Sequence, residues 1–290
     1  MALAIALLLL VAPVAFYLWR AAQRPRRTEL QQDLAPGIRY HRWFQRQPQP
    51  MLMHLVEIDL RQPGVALLVT PGEPGPDGFE IAAQTTSAFL RSHNVQVAIN
   101  GSFFQPFYSR HPGNFYPRPG DRVDAIGQAI ANGRQYSPPE ASWPVLCVAA
   151  DGRVQIIPAQ CPPQTQQALA GSPILVQDGE LIAGAIAIDD ILRPRTAVGV
   201  NAAGDRLWLL VIDGRQPFYS AGARFSDVAE LLRDRGAATV LNLDGGGSVT
   251  LVRATATGAQ VLNAPVHTRI PMRERPVANH LGIRGARSPE

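Results

Sequence analysis

From Met51 onward the apolar residues come in short runs, rich in β-branched side chains and broken by turn residues. No other feature constrains the fold as much. Leu52, His54, Val56, Ile58 and Leu60 alternate with Met53, Leu55, Glu57 and Asp59, the period of two that a strand requires. Val65 to Thr70 follows after Gln62-Pro63-Gly64, so these two runs predict a hairpin. Further strands are expected at Val95 to Ile99, 145–149, 153–157, 173–177, 196–201, 206–212 and Val240 to Leu243. Helical spacing is confined to Glu80 to Ser92 and to Phe225 to Asp234, the latter ended by Gly236. Residues 105–122, rich in Pro, Tyr and Phe, show little periodicity. The expected class is α+β: strand-rich mixed or antiparallel sheets, a few flanking helices and one domain over residues 51–285.

The N-terminal part reads differently. Ala2 to Trp19 is an 18-residue apolar run, near the short end of what a membrane-spanning helix needs. Residues 1–27 are therefore expected to be a membrane anchor or signal segment. An uncleaved anchor over residues 2–19 fits better than a cleaved signal, because the start lacks side-chain charge and Leu18-Trp19-Arg20 is a poor cleavage approach. The domain is then expected outside the cytoplasm, in the periplasm or at the cell surface. Residues 28–50, rich in Arg, Gln and Pro, read as a linker.

All 27 basic residues are arginine, which removes lysine Schiff-base chemistry. Arg20, Arg24, Arg26 and Arg27 account for the net charge of +4. Setting them aside leaves 23 arginines against 23 acids. A folded domain without a basic stripe has no nucleic-acid footprint. The two cysteines, Cys147 and Cys161, flank an expected hairpin turned at Asp151-Gly152. That turn sets Cys147 opposite about residue 156, so a disulfide would have to form beyond the strand end. Neither cysteine has the spacing of a zinc or thiol site, and the six histidines show no metal-ligand spacing.

Three strand ends deliver polar residues into glycine-containing turns: Asn100-Gly101-Ser102, Asp213-Gly214-Arg215 and Asn242-Leu243-Asp244-Gly245-Gly246-Gly247-Ser248. Strands fix position, and glycines let a ligand approach the backbone closely. Asp-Gly alone is an ordinary hairpin turn, the simple reading of 151–152, 178–179 and of 213–214 taken by itself. Three successive glycines exceed what a tight turn needs. The triplet lacks the lysine of a phosphate loop, which disfavours a nucleotide site. Ser248 lacks a nucleophile elbow, so a serine hydrolase would require a histidine at its hydroxyl. Arg195, in Arg193-Pro194-Arg195-Thr196, offers a planar fork suited to phosphate or carboxylate.

Six blocks in order resemble the phosphodiester glycosidase family: 100–104 (NGSFF), 171–179 (GSPILVQDG), 195–199 (RTAVG), 213–220 (DGRQPFYS), 242–248 (NLDGGGS) and 274–279 (ERPVAN). The resemblance covers roughly residues 51–285. Ser102 departs from it, since a second glycine is common there, and the extra C-terminal modules of animal members are missing. It implies hydrolysis at the anomeric carbon of a sugar esterified to a phosphodiester; from the residues themselves no cofactor is expected and no metal ligands are assigned. Asp244 would attack that carbon or activate water, with Asp213 as its partner or as an orienter of an arginine. Arg195, Arg215 and the amides of Gly245, Gly246 and Gly247 would hold phosphate oxygens. Asn100, Gly101 and Asn242 would line the substrate site, Ser248 would support Asp244, and Glu274 is a second acid candidate. The alternative is a non-catalytic carbohydrate-binding or exopolysaccharide-assembly protein of the same fold.

Overall fold

The structure, a computed structural model, describes residues 2–189 and 191–285; for residues 2–10 only the backbone is described. Helix α1 (Ala2–Ala22) leads into strands β1 (Leu30–Ala35), β2 (Ile38–Gln45) and β3 (Met51–Asp59). The expected linker is thus corrected: β1 and β2 form a hairpin at Gly37, and β2 pairs with β3 along its whole length. Ile38 and Tyr40 are buried while Arg39 is exposed, an alternation that the polar composition of the segment obscures.

The remaining elements that place the site are β4 (Ala66–Val69), α2 (Thr86–His93), β5 (Val97–Asn100), β6 (Ile174–Gln177), β7 (Arg195–Val200), β8 (Arg206–Ile212), α3 (Phe225–Arg233), β9 (Thr239–Asn242), β10 (Leu251–Thr255) and β11 (His280–Arg284). An eight-stranded sheet runs β1-β2-β3-β8-β7-β9-β6, with Glu180–Leu181 at the edge. A five-stranded sheet runs from Gly258–Val261 through β10, β5 and β11 to β4. The strand pairs in both are antiparallel.

Successive side chains of β7 and β8 point to opposite faces, and both faces are covered. Val198, Leu209 and Val211 meet Val97, Ile99, Leu251 and Leu281 of the second sheet. Ala197, Leu210 and Ile212 meet Phe225, Val228 and Leu232 of α3. Each such large side chain contributes about 1.5–3 kcal/mol when fully buried. Helix α2 closes the far side with Phe89 and Leu90 on Leu68, Ala98 and Val252. The molecule is a strand-rich α+β domain with helices outside two facing sheets.

Two local expectations change. Met51–Asp59 and Ala66–Val69 are not hairpin partners: β3 lies between β2 and β8, while β4 pairs with β11 in the other sheet. A strand buried on both faces needs a central position, which a short turn to one neighbour cannot supply. The helix expected from Glu80 starts only at Thr86, where Thr85 Oγ1 accepts the Ala88 amide at 3.2 Å. Ile81–Ala82 is instead a short strand on Arg122–Ala125.

Cys147 and Cys161 are bonded, with Cα atoms 5.7 Å apart. Cys147 pairs with Gln155, so Cys161 reaches it from beyond the strand end. The expected anchor forms α1, and Arg20 in its last turn donates to the carbonyls of Pro271 and Met272. Half of that expectation rests on side chains outside the described residues. Among the described residues no helix is long and apolar enough to cross a membrane.

Candidate functional site

The loop after β9 lies where the two sheets meet. Leu243 N donates to Thr196 O at 2.9 Å on β7, and Asp244 N to Gly101 O at 3.1 Å, just past β5. Asn100 bolts this junction. Its Nδ2 donates to Asp244 O at 2.6 Å, and its Oδ1 accepts from Thr196 Oγ1 at 2.8 Å and Thr250 N at 3.1 Å. Both ends of the amide are thus engaged and the residue is buried. The expectation that Asn100 and Gly101 touch substrate is corrected: they hold the 242–248 loop in place.

Asp244 faces a cleft of about 890 Å³. Burial raises its carboxyl to about 6, against the opposing pull of Arg275, the Ser248 hydroxyl, the Gly245 amide and Arg215. Some of its surface remains open to the cleft. Ser248 Oγ donates to Asp244 Oδ2 at 2.5 Å and accepts from Arg275 Nη1 at 3.0 Å. Among the described residues no histidine meets that hydroxyl, which removes the serine-hydrolase reading.

The glycine triplet serves packing as well as backbone exposure. A Cβ on Gly246, whose φ is +62°, would lie 3.0 Å from Arg215 Nη1, and one on Gly247 would lie 2.4 Å from Arg275 Nη2. Only glycine lets two guanidinium groups rest against the loop that carries Asp244. The amides are less available than expected: Gly246 N is bonded to Pro194 O at 2.9 Å, and Gly245 N to Asp244.

Arginines dominate the cleft. Arg193, Arg195, Arg215, Arg269 and Arg275 line it together with the carboxylates Asp189 and Asp244. Arg195 is mostly committed to protein. It donates to Asp189 Oδ2 at 3.0 Å, Ala223 O at 3.0 Å and Ile191 O at 2.9 Å, and lies 4.2 Å over Phe225. Burial tends to raise the Asp189 carboxyl, but the Arg195 hydrogen bond and charge win and hold it low. Among the described residues neither Arg215 nor Arg269 has a hydrogen-bond or ion-pair partner for its guanidinium. These two cations are free for an anion. Burial and the neighbouring Arg193 and Arg269 charges depress the Arg215 pKa, so an incoming anion would relieve repulsion there.

Asp213 does not share the cleft. Its side chain is wholly buried, with Oδ1 accepting from Ala264 N at 2.8 Å and Asn263 Nδ2 at 3.1 Å, and Oδ2 lying 3.2 Å from His54 Nε2. The catalytic assignment is corrected accordingly: Asp213 ties the end of β8 to Ala264, Asn263 and His54, away from the cleft. Glu274 is corrected as well, since its Oε2 accepts from Ser87 N at 2.9 Å in the first turn of α2. Asn242 lines the cleft, with Nδ2 fixed on Ser172 O at 2.7 Å.

Sequence reasoning passed over Asp189, Arg269, Arg275 and an aromatic wall of Phe103, Phe107 and Trp143. Asp189 stands in a loop and Arg269 in a single 3-10 turn, His267–Arg269, with no strand end or glycine turn to mark either. Arg275 lies inside the 274–279 block that carried the resemblance, hidden by its acidic neighbour. Phe103 and Trp143 are in edge contact at 5.3 Å. Among the described residues no guanidinium covers either ring, whereas Arg275 lies 4.4 Å over Phe107.

The sequence profile of the phosphodiester glycosidase family matches residues 93–284. The chain belongs to this family. Structural comparison agrees on the fold. The zebrafish N-acetylglucosamine-1-phosphodiester α-N-acetylglucosaminidase catalytic domain, auto-inhibited by its pro-peptide, is similar with TM-score 0.60 and 20% identity, over 91% of this chain and 92% of that one. A putative exported protein from Burkholderia pseudomallei gives TM-score 0.59 and 16% identity, covering 81% and 74%. A hypothetical protein from Synechocystis gives 0.54 and 18%, covering 91% and 64%. No curated protein matches in sequence. As a phosphodiester glycosidase family member, the chain has its Asp244 loop, Arg195, Arg215 and Arg275 all within the matched region.

Proposed function

We propose that this protein hydrolyses the bond between the anomeric carbon of a sugar and a phosphodiester in an extracytoplasmic glycoconjugate or polysaccharide. One observation carries the reading: a carboxylate poised near neutrality, Asp244, shares a cleft with two unpaired arginines, Arg215 and Arg269. A phosphomonoester leaving group needs charge stabilisation more than a strong general acid, and guanidinium groups supply it as negative charge grows on the departing oxygen.

In this reading the sugar lies towards Phe103 and Trp143 and the phosphate towards Arg215 and Arg269. The C1–O bond breaks, its electron pair leaves with the phosphate, and water supplies the new oxygen on C1. Asp244 either forms the bond to C1 first or takes the proton from that water. Arg195 with Asp189 forms a rigid wall beside the phosphate. The Cys147–Cys161 disulfide supports an oxidising compartment as the setting.

The test offers the purified full chain a panel of sugar-1-phosphodiesters. The expected products are a free reducing sugar and a phosphomonoester, with the new C1 oxygen derived from ¹⁸O-water. Release of intact sugar 1-phosphate would mean P–O cleavage and would overturn the proposal.

A further inference from the structure

His267 sits behind the site, buried and outside the cleft wall, yet it touches the residue on which Asp244 depends. Its Nδ1 lies 3.2 Å from Arg275 Nε. A guanidinium Nε–H can only donate, so Nδ1 must be the acceptor and the ring proton belongs on Nε2. The charged groups facing the ring are Arg275 and Arg273, both cationic, while Phe115 packs edge-on at 4.7 Å. Burial and these two charges keep the imidazole neutral throughout the working range, its pKa lowered to about 3.

Arg275 is consequently gripped on three sides. His267 takes Nε, Ser248 takes Nη1 at 3.0 Å, and Phe107 covers the guanidinium plane at 4.4 Å. Gly247 leaves the fourth side open, since a Cβ there would meet Nη2. Held this way, Arg275 donates to Ser248 Oγ and turns the hydroxyl proton towards Asp244 Oδ2. The groups acting on Asp244 are Arg275, Arg215, Ser248 and the Gly245 amide. The Arg275–Ser248 branch is fixed by His267, whose imidazole is held neutral by burial and the adjacent cations.

We infer that His267 is a positioning residue: as an obligate neutral acceptor it locks Arg275, and through Ser248 it fixes the orientation and proton affinity of the Asp244 carboxylate. The inference rests on the proposal that Asp244 is the reacting carboxylate, but the geometry it describes holds whatever the reaction. A cationic or purely donor group at position 267 would repel Arg275. An acceptor of similar reach would replace the imidazole, because an Asn Oδ1 can stand where His Nδ1 stands.

The test compares His267→Asn, His267→Leu and Arg275→Lys in the full chain. The Asp244 carboxyl is followed by ¹³C NMR titration, assigned with Asp244→Asn, alongside kcat and KM. His267→Asn is expected to keep the Asp244 midpoint and kcat within about three-fold of the parent. His267→Leu should move the midpoint to higher pH, as the cation swings away, and lower kcat by about ten-fold or more with a smaller effect on KM. Arg275→Lys, which lacks the Nε–H, should match it, and the double variant should add little further. Should His267→Leu not fold, His267→Asn and Arg275→Lys decide alone: the first must preserve the midpoint and the second must raise it. An unmoved midpoint in Arg275→Lys, or loss of it in His267→Asn, overturns the inference. A wild-type chain with the expected titration but no hydrolysis would instead leave the relay standing and remove the proposed reaction.

Discussion

Ser248 donates its hydroxyl proton to Asp244 Oδ2 at 2.5 Å, and this contact links the cleft carboxylate to Arg275. Because Arg275 Nη1 donates to Ser248 Oγ, the hydroxyl turns its proton towards Asp244. Asp244→Asn removes the anion while keeping the shape. It is expected to lower kcat on the order of a thousand-fold with an unchanged melting temperature. Ser248→Ala keeps the carboxylate but frees its rotamer, and should cost about 10- to 100-fold in kcat. Equal rates for Asp244→Asn and the parent would remove Asp244 from the chemistry.

The pH dependence follows from the same group. A nucleophile or base must be deprotonated, and burial raises the Asp244 carboxyl to about 6. Activity should therefore rise as pH climbs through about 6 and level off above it. Ser248→Ala removes a hydrogen bond that favours the anion, so its acidic limb should move to higher pH. A kcat profile that falls as pH rises through 6 would instead assign Asp244 as a proton donor.

Much of this site was legible because strand ends and glycines mark it. The loop 242–248, Arg195 and the 213–215 turn do converge, since β7, β8 and β9 are neighbours in one sheet. What each residue does there was less legible. Asn100 and Asp213 carry the same side-chain chemistry whether they face a ligand or a buried amide, and only the fold decides. Asp189 reaches Arg195 from six residues upstream, and His267 acts through a contact that no local pattern announces. The β3–β4 hairpin failed for a similar reason: alternation identifies a strand but not its partner, and the partners of β3 come from residues 38–45 and 206–212.

Arg215 lines the cleft with no hydrogen-bond or ion-pair partner for its guanidinium among the described residues. Arg215→Gln should raise KM for a phosphodiester and the inhibition constant of inorganic phosphate together, by about 10- to 100-fold, the loss expected for a charge-assisted contact. Binding of the free sugar should change little, because the sugar is placed towards Phe103 and Trp143, whose rings no guanidinium covers among the described residues. Trp143→Leu should show the reverse: weaker sugar binding and unchanged phosphate inhibition. If Arg215→Gln leaves phosphate inhibition at the parent value, the anion binds elsewhere.

Asp213 gives the sharpest separation between stability and catalysis. Its Oδ1 satisfies the Ala264 amide and Asn263, and its Oδ2 faces His54 Nε2, whose other nitrogen lies 2.7 Å from the buried Tyr40 hydroxyl. With an aspartate present, the assigned arrangement runs in one direction: Tyr40 O–H to Nδ1, and Nε2–H to Oδ2. Asp213→Asn keeps Oδ1 but turns Oδ2 into a donor, so the imidazole must change tautomer and the Tyr40 proton loses its acceptor. That should cost about 1–3 kcal/mol of stability. Asp213→Leu strands two donors and the histidine in a dry core and should cost more, about 3–5 kcal/mol. In both variants the folded fraction should retain kcat within a few-fold, because Asp244 and the free arginines do not contact position 213. Denaturant titration paired with rates normalised to folded protein measures both quantities. A fully folded Asp213→Asn with no turnover would return Asp213 to the catalytic machinery.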